Sequence, residues 1–171
     1  MSGALFHWLI SVFKAWRILR QGGSMAKENK IMSNKLTTNF ALSEFRCKDG
    51  TDVPDEHMDN VKELAENLQV LREYIGKAIN VISGYRSPKY NRKIKGARRS
   101  QHMTASAADV KISGMTPHEV KAIVEQLIKE KKMKQGGIGL YKTFLHYDVR
   151  GRKARWLGKG VKDDREGRFY K

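Results

Sequence analysis

The chain has 171 residues, with 34 Lys and Arg against 18 Asp and Glu, so its formal net charge is +16. This length suits one domain with a core and extensions, and is too short for two comfortable domains. The single cysteine, Cys47, excludes an intrachain disulfide and a metal site built from several cysteines. The pI of about 10.0 predicts attraction to polyanions, namely nucleic acid, anionic lipid or an anionic cell wall, without choosing among them.

The first part of the chain is predicted to be an extension. Residues 4–19 carry apolar side chains at a helical spacing, but the run is too short and too interrupted to span a bilayer. A signal peptide is disfavoured because no charge precedes the apolar run and no clear cleavage site follows it. Two interpretations stay open for residues 1–36: an amphipathic helix in weak contact with a membrane surface, or non-native upstream sequence, since Met25 and Met32 are plausible starts.

Two helices are predicted from the spacing of apolar residues. In residues 54–75 they recur every three or four positions, and Gly76 closes the pattern. A second helix is predicted to begin after Thr116, because Pro117 follows in the first turn and Glu119 lies three positions after this cap. Each helix has one apolar face, so both are expected to pack on a core.

Helices and short β-rich runs alternate irregularly along the chain, so the predicted fold class is α+β. We expect a single small domain over residues 37–158, with an antiparallel sheet flanked by helices, and a basic tail over residues 159–171. Trp156 is expected to cover the edge of the core. The predicted strands are 78–83, 105–112, 136–141 and 144–150, the last two forming a hairpin, and a short helix is expected at 90–95.

An imidazole and a carboxylate lie seven positions apart at His102 and Asp109, beside small residues, and His146 lies in a later predicted strand. Our hypothesis is one zinc ion held by these three side chains. Three protein ligands leave the fourth tetrahedral position for water, which is typical of a catalytic and not of a structural zinc. The other histidines are interpreted as non-ligands: His7, His57 and His118.

Several short motifs follow one another between residues 40 and 156. They are Ser83-Gly84-Tyr85-Arg86-Ser87, Asn91, Ser100-x-His102 with Asp109, Gly137-x-Gly139-x-Tyr141, Phe144-x-His146-x-Asp148-x-Arg150 and Arg155-Trp156. In this order and at these spacings they resemble the D-alanyl-D-alanine carboxypeptidase and murein endopeptidase family of zinc peptidases, which includes many phage endolysins. The combination is much more specific than any one motif.

The resemblance implies a zinc peptidase that cuts the peptide part of bacterial peptidoglycan, on a small α+β fold shared with the zinc domain of hedgehog proteins. The family's His-x6-Asp pattern and later histidine transfer to the three proposed ligands. Arg86 is expected to bind a substrate carboxylate or to steady the developing oxyanion. By resemblance, Ser100 and Tyr85 also touch substrate. We expect a monomer whose partner is the peptidoglycan stem peptide.

Two positions depart from the family pattern. Related enzymes carry a Glu, Asp or His a few residues before the last zinc ligand, where this chain has residues 142–145, Lys-Thr-Phe-Leu. Asp148, on the same strand face as that ligand, is our candidate for the general base, with Glu44 and Asp49 as alternatives. The glycine that the family usually has three positions after its first ligand is Ala105 here, for which we expect a local adjustment.

Two other classes of function stay open. A nucleic-acid-binding protein would explain the charge, but the sequence shows no helix-turn-helix signature, zinc-finger spacing or stacking motif, so no specific nucleic acid is expected. A zinc-containing, catalytically silent wall-binding module would explain both the ligands and the missing base. The basic run at residues 92–99 lies next to the proposed site and would favour an anionic polymer. A phage or prophage lysin is the expected setting.

Overall fold

The computed structural model describes residues 34–161, and the chain divides into two units, Met1–Lys35 and Leu36–Lys171. All elements named below belong to the second unit. The predictions for residues 4–19, and for the basic tail beyond residue 161, lie outside the described residues. None of the helices in residues 34–161 combines the length and the hydropathy that a membrane crossing requires.

Two long helices form as the apolar spacing predicts. Helix α1 is Met58–Ile75, preceded by a 3-10 turn, and it ends at Gly76, whose φ of +69° is a left-handed conformation that glycine adopts without strain. Helix α2 is the short Pro88–Lys93. Helix α3 is Pro117–Lys129, and its predicted cap is confirmed.

The cap of α3 is a reciprocal pair of hydrogen bonds. The hydroxyl of Thr116 accepts from the backbone N–H of Glu119 at 3.3 Å, and the Glu119 carboxylate accepts from the backbone N–H of Thr116 at 2.6 Å. Both donors would otherwise lack a partner at the first turn of the helix. The start of this helix could therefore be predicted from three residues of the sequence.

The sheet has five strands in the spatial order β1-β2-β4-β3-β5, and the predicted α+β class is confirmed. All pairings are antiparallel except that of β3 with β5, which is parallel. The last strand was not predicted, because its four residues follow a loop and carry no long alternation. The strands are β1 Ile79–Ser83, β2 Ala107–Ile112, β3 Gly137–Leu140, β4 Leu145–Asp148 and β5 Ala154–Leu157.

One face of the sheet is covered by α1 and α3. Val110 and Leu145 are paired across β2 and β4 and are at most 2% exposed. Tyr147, on the same face, donates its hydroxyl hydrogen to the carbonyl of Lys134 at 2.7 Å, and its hydroxyl oxygen lies 3.2 Å from a side-chain oxygen of Asn67 in α1. Burying a large apolar side chain contributes about 1.5–3 kcal/mol, so this face is where most of the stability of the fold resides.

The opposite face carries a row of five residues, one from each strand. Register pairs Ser83 with Asp109, Asp109 with His146, His146 with Gly139, and Gly139 with Trp156. Alternation along each strand sends these side chains away from the helices. Two of the three proposed zinc ligands are thus neighbours in a single row.

Candidate metal centre and substrate cleft

His102 is delivered by a 3-10 helix, Gln101–Thr104, that precedes β2. Its side chain is 2% exposed, and its Nδ1 lies 2.7 Å from the carbonyl oxygen of Gly84. Because a carbonyl only accepts, Nδ1 carries the proton and Nε2 keeps its lone pair. The ring is therefore fixed in the tautomer that presents Nε2 as a ligand.

His146 can present its other nitrogen to a metal. Its Nε2 lies 3.2 Å from Oδ2 of Asp148, which has no exposed side-chain surface, so with the proton on Nε2 the ring donates to Asp148 and Nδ1 is left as the ligand atom. Asp148 is in turn held by Arg150, whose Nε and Nη2 donate to its two oxygens at 2.7 and 2.6 Å. This carboxylate orients the histidine in the way that outer partners orient metal ligands.

The two carboxylate oxygens of Asp109 face different groups. Nη2 of Arg86 donates to Oδ2 at 2.5 Å, and Nε of the same guanidinium donates to the hydroxyl of Ser83 at 3.0 Å. Oδ1 faces the histidines instead, 2.9 Å from Nδ1 of His146 and 3.3 Å from Nε2 of His102. Arg86 thus leaves one carboxylate oxygen for a metal.

Three acceptor atoms converge at this point, which is what a cation site requires. His102 Nε2, Asp109 Oδ1 and His146 Nδ1 are separated by 3.1, 2.9 and 3.3 Å. Tetrahedral Zn²⁺ with bonds of about 2.0–2.1 Å holds its ligand atoms roughly 3.3 Å apart. In the tautomers set by their outer partners the three atoms repel one another, so the donor set fits a zinc ion, and the prediction that these residues can share a metal agrees with the geometry.

The ionisation of these groups follows from their surroundings. Burial lowers the pKa of His102, which favours the neutral imidazole that a metal needs. Burial also acts against charge on His146, but hydrogen bonds with Asp109 and Asp148 outweigh it and raise the pKa of that ring. Without a metal, a proton on His146 relieves the repulsion between the acceptors, so metal binding must displace that proton.

The ligands line an open cleft of about 530 Å³. On the side of β1 and β2 its lining is basic and includes Arg86, Lys95 and Arg99, whereas Tyr141 and Trp156 line the side of β3 and β5. Among the described lining residues the only carboxylate is that of Asp109. The cleft therefore offers cations and aromatic rings to a substrate, and no acidic group beyond the metal ligand.

The aromatic side depends on a missing side chain. A Cβ on Gly139 would lie 2.5 Å from the indole of Trp156, so only glycine lets this ring lean across β3. The indole then stands 5.0 Å from the ring of His146 and donates its Nε1 hydrogen to the hydroxyl of Tyr141 at 3.2 Å. Trp156 is thus part of the cleft, and the expectation that it covers the edge of the core was wrong.

Of the remaining predicted site residues, two line the cleft and one does not. Arg86 and Ser100 line the cleft, and their roles toward substrate stay predictions. Tyr85 does not line it: this residue is 5% exposed, and its ring lies 6.2 Å from that of His57. This position favours packing for Tyr85 over contact with substrate.

None of the three proposed general bases lines the cleft. Glu44 accepts from the backbone N–H of Ala41 at 2.8 Å, and Asp49 accepts from the hydroxyl of Ser87 at 2.5 Å. In Asp148, burial opposes charge, but hydrogen bonds from His146 and Arg150 hold the pKa of its carboxyl well below the usual range. A carboxylate so fully engaged behind a ligand is placed to orient that ligand, so its role as general base stays a prediction without geometric support.

Sequence reasoning also missed several contributors to the site. The carbonyl of Gly84 was overlooked because no side-chain pattern marks a backbone acceptor, although the glycine itself is explained: a Cβ there would lie 2.6 Å from the backbone of Phe45. Lys95 and Arg99 were interpreted only as part of a basic run. Proximity in sequence to the first ligand was the available signal for them.

Comparison with known proteins agrees with this geometry. A family model described as Peptidase M15 matches residues 34–148, which is more than half of the chain and includes all three candidate ligands. No curated protein matches the chain. M15 peptidases depend on zinc, and a His, Asp and His group able to hold one metal ion is present. On this match the chain belongs to the peptidase M15 family.

Proposed function

We propose that the protein is a zinc peptidase that hydrolyses peptide bonds of bacterial peptidoglycan, as a D-Ala-D-Ala carboxypeptidase or an endopeptidase of endolysin type. The observation that carries the proposal is the convergence of three lone-pair atoms, from His102, Asp109 and His146, in a cleft that Arg86 also lines. A structural zinc would have four protein ligands, whereas this group supplies three and opens to solvent.

The bound zinc would supply a Lewis acid and a water of lowered pKa at the cleft. The protein's own groups would set the protonation of the ligands and bind the substrate. His102 and His146 stay neutral at their ligand atoms because Gly84 and Asp148 hold the protons on the opposite nitrogens. Arg86 keeps a fixed guanidinium beside the metal site, through its bonds to Ser83 and Asp109, and is placed to bind a substrate carboxylate or a developing oxyanion.

The substrate class rests on family membership and on charge. A formal net charge of +16 favours adsorption to an anionic cell wall, and a lysin encoded by a phage or prophage is the setting we propose. D-Ala-D-Ala, a D-Ala cross-link and L-Ala-D-Glu all present an amide next to a carboxylate or a short side chain. The same site chemistry serves each of these bonds.

A second candidate is a catalytically silent zinc module that binds the wall. The observation favouring it is the lack, among the described cleft residues, of any carboxylate other than Asp109. A general base usually contributes about 10²–10⁴-fold to hydrolysis, so a site without one would bind far better than it cuts.

Digestion of purified peptidoglycan separates the two candidates. We expect the zinc-loaded protein to release fragments, a chelator to stop the release, and added zinc to restore it. Mass spectrometry of the new termini then identifies the bond. Zinc bound at one ion per chain with no fragments released would overturn the peptidase and support the silent module. Salt-dependent affinity for DNA in a protein that binds no zinc would overturn both.

A further inference from the structure

Two kinds of cation line the cleft. Arg86 and Arg150 are already paired, the first with Asp109 at 2.5 Å and the second with Asp148 at 2.6 Å, and their side chains are 16% and 21% exposed. Their charges are therefore partly offset inside the protein, although Arg86 uses only two of its five N–H donors, on Ser83 and Asp109. They hold the metal site and its outer partner in place.

Lys95 and Arg99 differ from these two. Both are exposed and line the same cleft, and no acidic side chain of residues 34–161 forms a salt bridge with either of them. A guanidinium fork and an ammonium that have no carboxylate partner among residues 34–161 can attract an anion from solution. The cleft thus carries two positive charges in excess of those that its own carboxylate and the neighbouring Asp148 neutralise.

The loop that bears these cations is anchored. The buried side chain of Asn91 donates through Nδ2 to the carbonyl of Ala97 at 3.0 Å, and its backbone carbonyl accepts from the N–H of Gly96 at 2.9 Å. A Cβ on Gly96 would lie 2.2 Å from the Asn91 amide oxygen, so the two residues are in close contact. The N–H of Ser100 closes the loop by donating to Ala97 at 3.1 Å. Anchoring reduces the entropy lost when the loop binds a ligand.

We propose that Lys95 and Arg99 form a specificity-determining anion subsite, separate from Arg86, that selects peptides with a second free carboxylate. The inference rests on the proposed function, since it assigns a preference within that substrate class. In chemical terms the favoured substrate is a stem peptide whose γ-linked D-glutamate keeps its α-carboxylate, and the disfavoured one carries the amide at that position. One carboxylate would engage Arg86, and the second would engage the loop.

The test compares two synthetic pentapeptides, L-Ala-γ-D-Glu-L-Lys-D-Ala-D-Ala and its α-amide, which differ in one charge. With zinc-loaded protein we expect kcat/KM to favour the free carboxylate by about tenfold at low salt, and the ratio to fall as salt rises. In the variant Lys95→Gln/Arg99→Gln the ratio should fall below about twofold, because kcat/KM for the free carboxylate should fall more than kcat/KM for the amide.

The matched control is Lys93→Gln/Arg98→Gln, which removes the same charge from exposed neighbours that do not line the cleft. It should retain the preference of the wild type. An equal loss of preference in both double variants would assign the effect to overall charge and overturn the subsite. So would a wild-type ratio near one, or a ratio that survives in Lys95→Gln/Arg99→Gln.

Calorimetric titration of the two peptides into the same zinc-loaded proteins separates this inference from the proposed function. The binding ratio should follow the same pattern as kcat/KM, whether or not the peptides are cut. If the wild type bound the carboxylate form preferentially and cleaved neither peptide nor polymer, the peptidase proposal would be rejected and the subsite proposal supported. If both peptides were bound with equal affinity and cleaved at equal rates, the subsite proposal would be rejected and the peptidase proposal supported.

Discussion

The two faces of the sheet are made by the same strands but place different requirements on their side chains. In β4, Leu145 and Tyr147 face the helices, whereas His146 and Asp148 lie on the opposite face, where the metal group is, and all four are buried. On the helix face a side chain needs mainly the right volume and an apolar surface. On the cleft face each polar atom has a particular partner, such as the Asp148 carboxylate for His146.

The stability of the fold and the chemistry of the site therefore depend on different faces of the sheet. Apolar burial against α1 and α3 supports the fold without reference to a metal, since Leu145 and Tyr147 belong to the buried core and not to the metal group. The cleft face instead holds like acceptors close together, which costs stability unless a proton or a metal ion lies between them. A change on one face should therefore leave the property of the other face largely intact.

The largest expected effects come from replacing one residue of the metal group and one residue of the helix face by alanine. His102→Ala should reduce bound zinc from about one ion per chain to nearly none and reduce peptide hydrolysis by about three orders of magnitude or more. Leu145→Ala, on the helix face, should cost about 2–5 kcal/mol of unfolding free energy and keep its zinc while folded. Zinc content by elemental analysis and urea unfolding measure both properties.

His57→Ala is the control for these two variants, because His57 lies outside the metal group and should keep both zinc and activity. Retention of one zinc per chain by His102→Ala would contradict the proposed ligand set. Loss of zinc by folded Leu145→Ala would show that the two faces are not separable.

Asp148→Asn tests whether the second carboxylate of β4 orients a ligand or transfers a proton. If it orients His146, zinc affinity should fall about 10–100-fold, because an amide is a weaker acceptor than a carboxylate, and saturating zinc should restore much of the activity. Competition with a calibrated chelator measures the affinity. Unchanged zinc affinity with a collapse of kcat would instead establish Asp148 as the base.

Gly139→Ala places a methyl group where the Trp156 indole crosses β3. The predicted 2.5 Å approach forces the indole to move, and we expect a loss of about 1–3 kcal/mol of unfolding free energy together with weaker substrate binding. Trp156→Ala should relieve the clash, so the double variant should be less destabilised than the sum of the single variants. Additive losses would mean that the indole is not what excludes a side chain at Gly139.

Much of the helix face could be predicted from the sequence. Apolar periodicity marks α1, and the Thr116 cap marks α3, because both signals depend on residues within a few positions of one another. The parallel strand β5 could not be predicted, since its pairing with β3 depends on a crossover and leaves no local signature. Because the position of Trp156 beside His146 depends on that pairing, it could not be predicted from the sequence either.

On the cleft face, only the three candidate metal ligands could be predicted from the sequence. His102, Asp109 and His146 followed from ligand types, spacing and family motifs. The role of Asp148 did not, because an i, i+2 relation places it on the ligand's face whether it orients the ring or transfers a proton. Only the engagement of both carboxylate oxygens distinguishes the two roles, and the partner Arg150 is identified by distance.

An ion pair on the helix side supplies a pH-dependent test. Nη2 of Arg155 donates to Glu125 at 2.8 Å, and this hydrogen bond, opposed by burial, lowers the pKa of Glu125 from 4.5. Because the folded pKa is the lower one, the stabilisation is complete above pH 4.5 and is lost as the pH falls through the folded pKa. Glu125→Gln should cost about 1 kcal/mol or less at pH 7, since the carboxylate is one third exposed.

The difference in unfolding free energy between wild type and Glu125→Gln should therefore shrink as the pH is lowered below 4.5. Zinc affinity at pH 7 should be the same in both proteins. A difference that grows in acid would mean that this carboxylate is destabilising when charged.

The smallest expected effect lies at Ala105, where the 3-10 helix that bears His102 ends before β2. This residue has a φ of +53°, a left-handed conformation that costs a residue with a Cβ about 1–2 kcal/mol. Ala105→Gly removes that strain but adds backbone entropy to the unfolded chain, so we expect a net gain of about 0.5 kcal/mol in unfolding free energy. Ala107→Gly, within β2, is the control and should destabilise. If Ala105→Gly also destabilised, the methyl group of the 1% exposed Ala105 would contribute more by packing than it costs in backbone strain.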